Sequence, residues 1–426
     1  MRQPRSVVLL LGLALLAAAC GGGAAPSGTT GAPAPEAPAT TAPAVTETTA
    51  APAGEGLLIW ADETKAQALE QVVPAFTEQT GVPVEIQVVD FGQIRDQVKT
   101  AGPAGEGPDL FTGAHDWTGE LVTAGVVDPI DLGDKAGEFV EVALNVFSIE
   151  GQLYAVPYAT EAVAMYHNKA LAAEPPATFD EVKTACDGMS GIENCYGVPG
   201  GGDAPDAYHN FPFLSAFGGY IFSYDPATGH DPSDVGIDSE GAIQGGQFLA
   251  SLAADGYVGE TNYDTARNLF VEGSEPFWMT GPWELGGLQE TDVDWGVAPI
   301  PTMDGNSAKP FVGGQGFFLS SFSENKVVAQ SFLLDFVATA EGMKALYEAD
   351  PRIPVFTATL EEVSADPAVQ VFSESMAGGE PMPNIPQMGS VWGPLGDALL
   401  QVRNGDAEPQ AALTAAAEQV RQAVAG

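Results

Sequence analysis

Short apolar runs alternate with longer amphipathic segments along residues 55–426. Apolar and β-branched runs predict strands at 57–60, 82–89, 109–114, 153–157, 162–166 and 276–280. Amphipathic spacing predicts helices at 66–79, 93–100, 239–254, 265–273, 325–337, 341–348, 391–402 and 410–424, with a further helix beginning near Asp116. We expect Thr64 to cap the first of these helices. The alternation predicts an α/β fold with mainly parallel sheets flanked by helices.

The N-terminus has the pattern of an export signal. Arg2 and Arg5 precede an apolar or small run at 7–19, which is shorter than the about 20 residues that a bilayer-spanning helix needs. The run ends in Ala-Ala-Ala-Cys-Gly, which resembles a bacterial lipobox, although Ala17 stands where a branched apolar residue is more usual. We therefore interpret residues 1–20 as a lipoprotein signal peptide with lipid attached to Cys20. The alternative is an ordinary cleaved signal followed by an incidental cysteine.

Residues 21–54 have almost nothing with which to build a core. They consist of Gly, Ala, Pro, Ser, Thr, Val and a few Glu, and they contain no Leu, Ile, Phe or Trp. Such a composition predicts a flexible, low-complexity tether. After a lipidated cysteine, a tether would hold the folded part of the protein away from a membrane.

The size and charge of the remaining chain restrict its function. Residues 55–426 exceed what one hydrophobic core usually organises, so two domains are expected. The chain has 15 Lys and Arg against 57 Asp and Glu, a formal net charge of −42. So acidic a surface repels phosphate groups and anionic lipids, and we expect no nucleic-acid partner and membrane contact through the lipid anchor only.

Two cysteines remain if Cys20 carries lipid. Cys186 and Cys195 are close in sequence, and outside the cytosol this spacing favours a disulfide that closes a short loop. Two buried thiols, or half of a metal site, are the alternatives. The chain contains only 4 histidines, and no metal or other cofactor is expected.

Several motifs follow one another in a characteristic order. They are Leu-Ile-Trp-Ala-Asp-Glu-Thr-Lys at 58–65, Gly-Ala-His-Asp-Trp at 113–117, Tyr-Ala-Val-Pro-Tyr-Ala-Thr-Glu-Ala at 154–162, Tyr-His-Asn-Lys at 166–169, Ala-Phe-Gly-Gly-Tyr at 216–220, Thr-Gly-Pro-Trp at 280–283, Lys-Pro-Phe-Val-Gly-Gly at 309–314 and Met-Pro-Asn-Ile-Pro-Gln-Met at 382–388. In this order they resemble the maltose-type extracellular solute-binding proteins of ABC importers. The resemblance covers nearly the whole mature chain.

The resemblance implies a two-lobed periplasmic-binding-protein fold of type II, each lobe a mostly parallel sheet flanked by helices. By analogy the N-terminal lobe would hold residues 55–159 plus 315–362, and the C-terminal lobe residues 163–312 plus 367–426. It further implies a monomeric, lipid-anchored protein on the outer face of the cell membrane. That protein captures a sugar such as maltose or maltodextrin between closing lobes and passes it to ABC permease subunits.

Three other functions remain open. The same scaffold would serve a binder of a polyol or an amino sugar. Carboxylates around a sugar cleft are also found in glycoside hydrolases, although no local motif marks a nucleophile here. A purely structural surface protein is least favoured, because it would not need polar residues at successive strand ends.

A sugar site needs carboxylates that accept hydrogen bonds from hydroxyl groups and aromatic rings that cover C–H surfaces. The resemblance assigns substrate-binding roles to Asp62, Glu63, Lys65, Asp116, Trp117, Glu161, Asp206, Tyr208, Trp283, Met382 and Trp392. Trp283 and Trp392 match the stacking aromatics of the family. Three further tryptophans lie in strand-like runs and are expected in the core, namely Trp60, Trp278 and Trp295.

Several of these positions have a second interpretation. Thr64 replaces the carboxylate before the family's lysine, so Asp62 or Glu63 must take that role, or the segment is simply a polar helix start. Glu161 fits a buried structural ion pair as well as a sugar contact. His115 is expected to pack or to start a helix.

The chain also departs from the family pattern. Gly113 stands where Trp is usual and Trp117 where Arg is usual, and Gly393 and Gly396 replace a Tyr and an Arg. Asp206 is shorter than the Glu of the family. These changes leave the identity of the sugar open.

Overall fold

The computed structural model describes residues 56–201, 205–259 and 261–425. Its strands are β1 (Leu57–Ala61), β2 (Val84–Val88), β3 (Leu110–Ala114), β4 (Val127–Asp128), β5 (Ser148–Ile149), β6 (Gln152–Leu153), β7 (Ala155–Glu161), β8 (Ala164–Asn168), β9 (Tyr196–Gly197), β10 (Phe222–Asp225), β11 (Gly229–Val235), β12 (Phe277–Thr280), β13 (Trp295–Ala298), β14 (Phe311–Ser320), β15 (Ile353–Pro354) and β16 (Glu380–Pro381). The expected signal peptide, Cys20 and the tether lie outside the described residues.

The α-helices are α1 (Glu63–Thr80), α2 (Phe91–Ala104), α3 (Thr118–Thr123), α4 (Glu141–Val146), α5 (Phe179–Asp187), α6 (Ala207–Ala216), α7 (Glu240–Ala254), α8 (Tyr263–Val271), α9 (Leu285–Gln289), α10 (Lys326–Ser331), α11 (Ala340–Ala349), α12 (Thr357–Val363), α13 (Pro367–Gly378), α14 (Trp392–Asn404) and α15 (Pro409–Ala425). Short 3-10 turns occur at His115–Trp117, Gly133–Glu138, Pro282–Glu284 and Pro386–Ser390, and a π-helical turn at Phe332–Val337 follows α10.

The larger sheet has the order β15-β7-β14-β3-β1-β2, and β4 and β16 also pair with β14. Strand β1 is parallel to both β2 and β3. Strand β14 then lies antiparallel to β3 on one side and to β7 on the other. The sheet is therefore mixed, and the expectation of a mostly parallel sheet is correct only for β2, β1 and β3 and for the short parallel pair of β14 and β16. The pattern of apolar positions specifies strands but not the direction in which a late strand such as β14 enters the sheet.

The smaller sheet has the order β13-β8-β12-β9. Strand β8 is antiparallel to β12 and β13, and β12 is parallel to β9. The expectation of a mostly parallel sheet is wrong here as well. The chain passes from the larger sheet to the smaller one directly, because β7 ends at Glu161 and β8 begins at Ala164.

Helices cover both faces of the larger sheet because its strands are apolar on both sides. Ile59 packs with the cluster around α1 and α11, whereas its neighbour Trp60 packs with the cluster around α2. Likewise, Phe317 packs with the first of these clusters and Phe318 with the second. This two-residue alternation places the two cores on opposite faces of one sheet.

Helix α1 begins earlier than the sequence pattern predicts. Asp62, not Thr64, is its N-cap, because the Asp62 carboxylate accepts a hydrogen bond from the backbone N–H of Lys65. The helix therefore starts immediately after β1. Elsewhere a disulfide joins Cys186 to Cys195.

Candidate functional site

The end of β1 carries a buried lysine that is paired with a half-buried aspartate. Lys65 is only 3% exposed, and its ammonium group donates to the carboxylate of Asp62. The same ammonium lies 4.7 Å from the centre of the Phe91 ring. Burial alone would raise the pKa of Asp62, but the charge and hydrogen bond of Lys65 outweigh it and lower this pKa to about 2. Glu63 is exposed, so Asp62 is the acid that the fold pairs with Lys65.

The end of the neighbouring strand β3 carries a buried acid with a different partner. Asp116 is 6% exposed, and its Oδ2 accepts a hydrogen bond from Nε1 of Trp392 at 3.1 Å. Burial raises the pKa of Asp116 to about 6, although the Trp392 bond and the charge of Arg95 act in the opposite direction. The bonded partner is a neutral indole, and the charge of Asp116 is compensated much less than that of Asp62.

His115 connects three segments beside Asp116. Its Nδ1 accepts a hydrogen bond from the backbone N–H of Gly314, and its Nε2 donates to the carbonyl oxygen of Met382, both at 3.0 Å. Complete burial lowers the pKa of His115, which favours the neutral ring that this arrangement requires. The backbone N–H of Met382 donates to Val312 at 3.2 Å. The structure thus places Met382 at the site through its backbone, with its side chain buried.

The ring of Trp117 packs against the backbone of Gly113. A Cβ atom at Gly113 would come within 2.6 Å of the Trp117 ring, and the ring also packs on Phe91 at a centroid distance of 4.8 Å. The ring therefore occupies the space that a side chain at Gly113 would need. Trp117 is buried within the core cluster that includes Trp60.

Glu161 belongs to a buried ionic network at the end of β7. It pairs with Arg352 at 2.6 Å and accepts from the side-chain amide of Gln315 at 2.8 Å. Arg352 also pairs with Asp350 at 2.7 Å, and Asp350 accepts from the hydroxyl of Tyr158 at 3.0 Å. Both carboxylate oxygens of Glu161 therefore accept a hydrogen bond from another side chain of the protein. Sequence reasoning missed Arg352, because it lies outside every motif and reaches Glu161 across 191 positions.

Asp206 is the N-cap of α6. Its carboxylate accepts from the backbone N–H of His209 at 2.9 Å and contacts Nδ1 of the same histidine at 2.7 Å. Burial opposes ionisation, but His209 lowers the pKa of Asp206 overall. Its neighbour Tyr208 is half-buried, and within the described residues the Tyr208 hydroxyl is buried without a hydrogen-bond partner. Tyr208 therefore has an unused donor.

The two half-buried tryptophans of the predicted site lie in this region. Trp283 is 6.0 Å from Tyr208 between ring centres, and the Arg352 guanidinium lies 5.8 Å from the Trp283 ring. Trp392 begins α14 and packs edge-on against Phe311 at 5.9 Å. Trp60 and Trp278 are buried as expected, and Trp295 is half-buried against the core.

Several of the predicted site residues are linked by contacts. Asp116 bonds to Trp392, and Arg352 joins Glu161 to Trp283. The positive charge of Arg352 also contributes to the lowered pKa of Asp62, after the larger contribution of Lys65. The fold therefore gathers carboxylates, one lysine and several aromatic rings from distant parts of the chain, while Glu63 stays outside.

A cavity of about 220 Å³ adjoins this cluster. It shares Phe311 with the cluster, and its other walls include Tyr224 and His230 of the β10–β11 hairpin and Glu380. Sequence reasoning did not single out these wall residues.

In the described ranges, His, Cys, Asp and Glu side chains nowhere gather in threes in a way that would hold a metal ion. Among the helices that the structure describes, none combines the length and apolar character needed to cross a bilayer.

Comparison with known proteins gives a consistent result. A model of the bacterial extracellular solute-binding protein family matches residues 71–371. A galactooligosaccharide-binding protein of Bacillus subtilis (strain 168) is 28% identical over 385 residues, covering 86% of this chain and 88% of that protein. A maltotriose-binding protein of Pyrococcus abyssi is 33% identical over 329 residues, covering 75% of this chain and 71% of that protein.

A third relative is the maltooligosaccharide ABC transporter solute-binding lipoprotein of Streptococcus pneumoniae (strain ATCC BAA-255 / R6). It is 26% identical over 382 residues, covering 86% of this chain and 88% of that protein. The family and these relatives are described as binding proteins rather than enzymes. The family match spans well over half of the chain, and we conclude that the chain belongs to the bacterial extracellular solute-binding protein family.

Proposed function

We propose that this protein captures a carbohydrate, most simply maltose or a maltodextrin, and delivers it to the membrane subunits of an ABC importer. The observation that carries the proposal is the contact between Asp116 and Trp392, 276 positions apart. It brings a carboxylate acceptor and a stacking ring to one place, and these are the two groups that a sugar ring requires. The named ligands of the relatives support the same substrate class.

In this proposal the chain forms two lobes that close on the ligand. Residues 55–159 plus 315–362 make the N-terminal lobe, and residues 163–312 plus 367–426 make the C-terminal lobe. Two separate sheets and the direct passage from β7 to β8 support this division. A sugar that touches both lobes favours the closed state by its differential affinity for that state, and the permease then recognises the closed face.

The proposed contacts follow the chemistry of the site. Lys65 and Asp62 bind hydroxyl groups beside β1, and Asp116 accepts hydroxyl donors beside β3. Trp283 and Trp392 stack on the C–H faces of the sugar. The remaining proposed contacts are made by Trp117, Glu161, Asp206, Tyr208 and the Met382 segment. Glu63 is exposed and is a weaker candidate than Asp62.

An amino sugar or a polyol is the second candidate. The support applies to the amino sugar: the Asp116 carboxylate is bonded to a neutral indole and not to a cation, so an ammonium group on a ligand would supply a counter-charge. An amino sugar therefore differs from maltose and from a polyol in how its affinity depends on salt, because attraction between charges is screened by ions.

The test is calorimetry of the mature protein with maltotriose, a galacto-oligosaccharide, glucosamine and sorbitol. We expect saturable one-to-one binding of maltotriose, with no reducing sugar released on prolonged incubation. Binding of glucosamine alone would select the second candidate. No heat with any of these ligands would overturn the carbohydrate assignment, and release of reducing sugar would indicate a glycoside hydrolase.

The stacking rings are tested by Trp283→Ala and Trp392→Ala. Each substitution removes an aromatic contact worth about 0.5–1.5 kcal/mol beyond its buried area, so the maltotriose Kd should rise roughly tenfold or more. Trp295→Ala is the matched control, since Trp295 is also half-buried but packs with a different cluster. Equal affinities for all four proteins would show that Trp283 and Trp392 are core residues.

We also propose that the mature protein is a monomer anchored by lipid on Cys20 to the outer face of the cell membrane. Metabolic labelling with a fatty acid should mark the wild-type chain and leave Cys20→Ser unlabelled. An unlabelled wild-type protein in the culture medium would contradict the anchor.

A further inference from the structure

Trp283 is held by a relay of hydrogen bonds that no part of the proposed function uses. Its Nε1 donates to the hydroxyl oxygen of Tyr263 on α8 at 2.5 Å. The Tyr263 hydroxyl donates in turn to Oε1 of Glu284, and Oε2 of Glu284 accepts from Nε of Arg267 at 2.9 Å. Glu284 is buried and is the residue next to Trp283 in the chain.

The direction of each bond in this relay is defined by its chemistry. Glu284 can only accept when ionised, and an indole can only donate. Tyr263 therefore must give its single proton to Glu284 and offer its oxygen to Trp283. Burial and the nearby charge of Glu284 raise the pKa of Tyr263 well above its usual range, so this proton remains in place at all physiological pH values.

Two further contacts restrict the plane of the same indole. A Cβ atom at Gly281 would lie 2.0 Å from the Trp283 ring, which shows that the ring lies directly against the backbone there. The Arg352 guanidinium stands 5.8 Å from the ring centre. The backbone at Gly281, the guanidinium of Arg352 before β15 and the phenol of Tyr263 on α8 thus all approach the indole.

We infer that Tyr263, oriented by Glu284 and Arg267, is a positioning residue that holds Trp283 in its stacking orientation before a ligand arrives. The inference rests on the proposed role of Trp283 in carbohydrate binding. A ring that is already oriented loses little side-chain entropy when the ligand binds, and affinity increases accordingly. Tyr263 acts through Trp283 and is not itself assigned a contact with the sugar.

Tyr263→Phe tests the inference because it removes only the hydroxyl group. Because the Trp283 side chain must then be immobilised when the ligand binds, maltotriose binding should weaken roughly three- to tenfold. The near-ultraviolet circular dichroism and fluorescence emission of the ligand-free protein should also change, since Trp283 becomes freer to rotate. Tyr257→Phe is the matched control: the Tyr257 hydroxyl also donates to a carboxylate, that of Asp187 at 3.0 Å, but at an exposed position.

A double-mutant cycle separates positioning from direct contact. In a Trp283→Leu background, Tyr263→Phe should change the Kd by less than about twofold, because the ring on which Tyr263 acts is gone. An undiminished loss in that background would show that Tyr263 contacts the sugar and would overturn the inference. Unchanged affinity and unchanged spectra for the single variant would overturn it as well.

A second variant distinguishes lost positioning of Trp283 from a folding defect in Tyr263→Phe. Glu284→Gln keeps the size of the side chain and a carbonyl acceptor, so the protein should fold and show a smaller change of the same sign. If the wild-type protein binds none of the sugars tested, the proposed function fails. The spectra of ligand-free Tyr263→Phe still decide whether Tyr263 positions Trp283.

Discussion

The ends of β1 and β3 are the same structural feature with opposite electrostatics. The two strands are parallel neighbours, and an aspartate follows each of them: Asp62 comes directly after β1, and Asp116 comes after β3 and His115. Asp62 pairs with the buried ammonium of Lys65, and its pKa falls to about 2. Asp116 bonds to the indole of Trp392, and its pKa rises to about 6.

The difference shows that burial alone does not decide the charge of an acid at a strand end. Burial is the largest influence on both groups and raises both pKa values. A full positive charge in direct contact reverses that effect at Asp62, whereas a neutral N–H donor only reduces it at Asp116. Asp62 is therefore a permanently charged member of the site, and Asp116 can exchange a proton near neutral pH.

The largest expected effect comes from removing the cation. Lys65→Met removes the buried ammonium group that pairs with the half-buried carboxylate of Asp62, and the free energy of unfolding should fall by about 3 kcal/mol at pH 7. The pKa of Asp62 should rise toward that of Asp116, which would remove the contrast between the two strand ends. Urea denaturation measures the loss.

Lys169→Met provides the control for this substitution. Lys169 pairs with Asp294 at 3.6 Å, and the two side chains are 43% and 74% exposed. Such a pair contributes about 0–1 kcal/mol. Similar losses in the two variants would contradict a special role for the pair at the end of β1.

The second effect is a difference in how stability depends on pH. The raised pKa of Asp116 means that the folded protein holds this proton more tightly than the unfolded chain between about pH 4 and pH 6. Stability should therefore decrease as the pH rises through this window, by about 2–3 kcal/mol in total. Asp116→Asn should abolish that slope and be more stable than the wild type above pH 6.

Asp62 should show the opposite dependence in the adjacent window. Its pKa is lowered from 3.8 to about 2, so its stabilisation is complete above about pH 4 and is lost as the pH falls toward 2. Subtracting the urea stability curves of Asp116→Asn and Asp62→Asn from that of the wild type isolates the two groups from the other acids. The difference curve for Asp116→Asn should fall with rising pH, and the curve for Asp62→Asn should rise. If both curves sloped in the same direction, the two aspartates would not have opposite electrostatics.

The smallest effect concerns the shape of the β3 end. Gly113→Ala places a methyl group within 2.6 Å of the Trp117 ring, and this overpacking should cost about 1–2 kcal/mol. Gly137→Ala is the control, because nothing lies within 4 Å of a Cβ atom at that position. Thermal unfolding of both variants measures the difference, and an equally stable Gly113→Ala would mean that Trp117 moves freely.

Much of the local structure could be predicted from the sequence. The expected strands at 57–60 and 109–114 correspond to β1 and β3, and the expected helix at 239–254 corresponds to α7 with Ser239 as its cap. These elements follow from apolar spacing within a few residues. The cap of α1 was misassigned to Thr64, because only the backbone geometry shows that Asp62 accepts the bond.

The candidate site was predictable in its residue types but not in its partners. Motif order pointed to Asp116 and Trp392 separately, and nothing in the local sequence indicates that they bond to each other. No motif in the sequence indicates a role for Arg352 or Tyr263. In the structure, Arg352 pairs with Glu161, and Tyr263 accepts the hydrogen bond of Trp283. Such pairings depend on side chains that meet only after folding.

The sequence by itself determined the positions of most strands and helices, the candidate cysteine pair and the solute-binding family. These properties follow from short-range patterns in the sequence and from the order of its motifs. Only the tertiary structure decided that β14 enters the larger sheet antiparallel and that Asp62 and Asp116 differ in charge. The physical reason is distance along the chain: strand direction and pKa depend on contacts between segments as far apart as the 276 positions that separate Asp116 from Trp392.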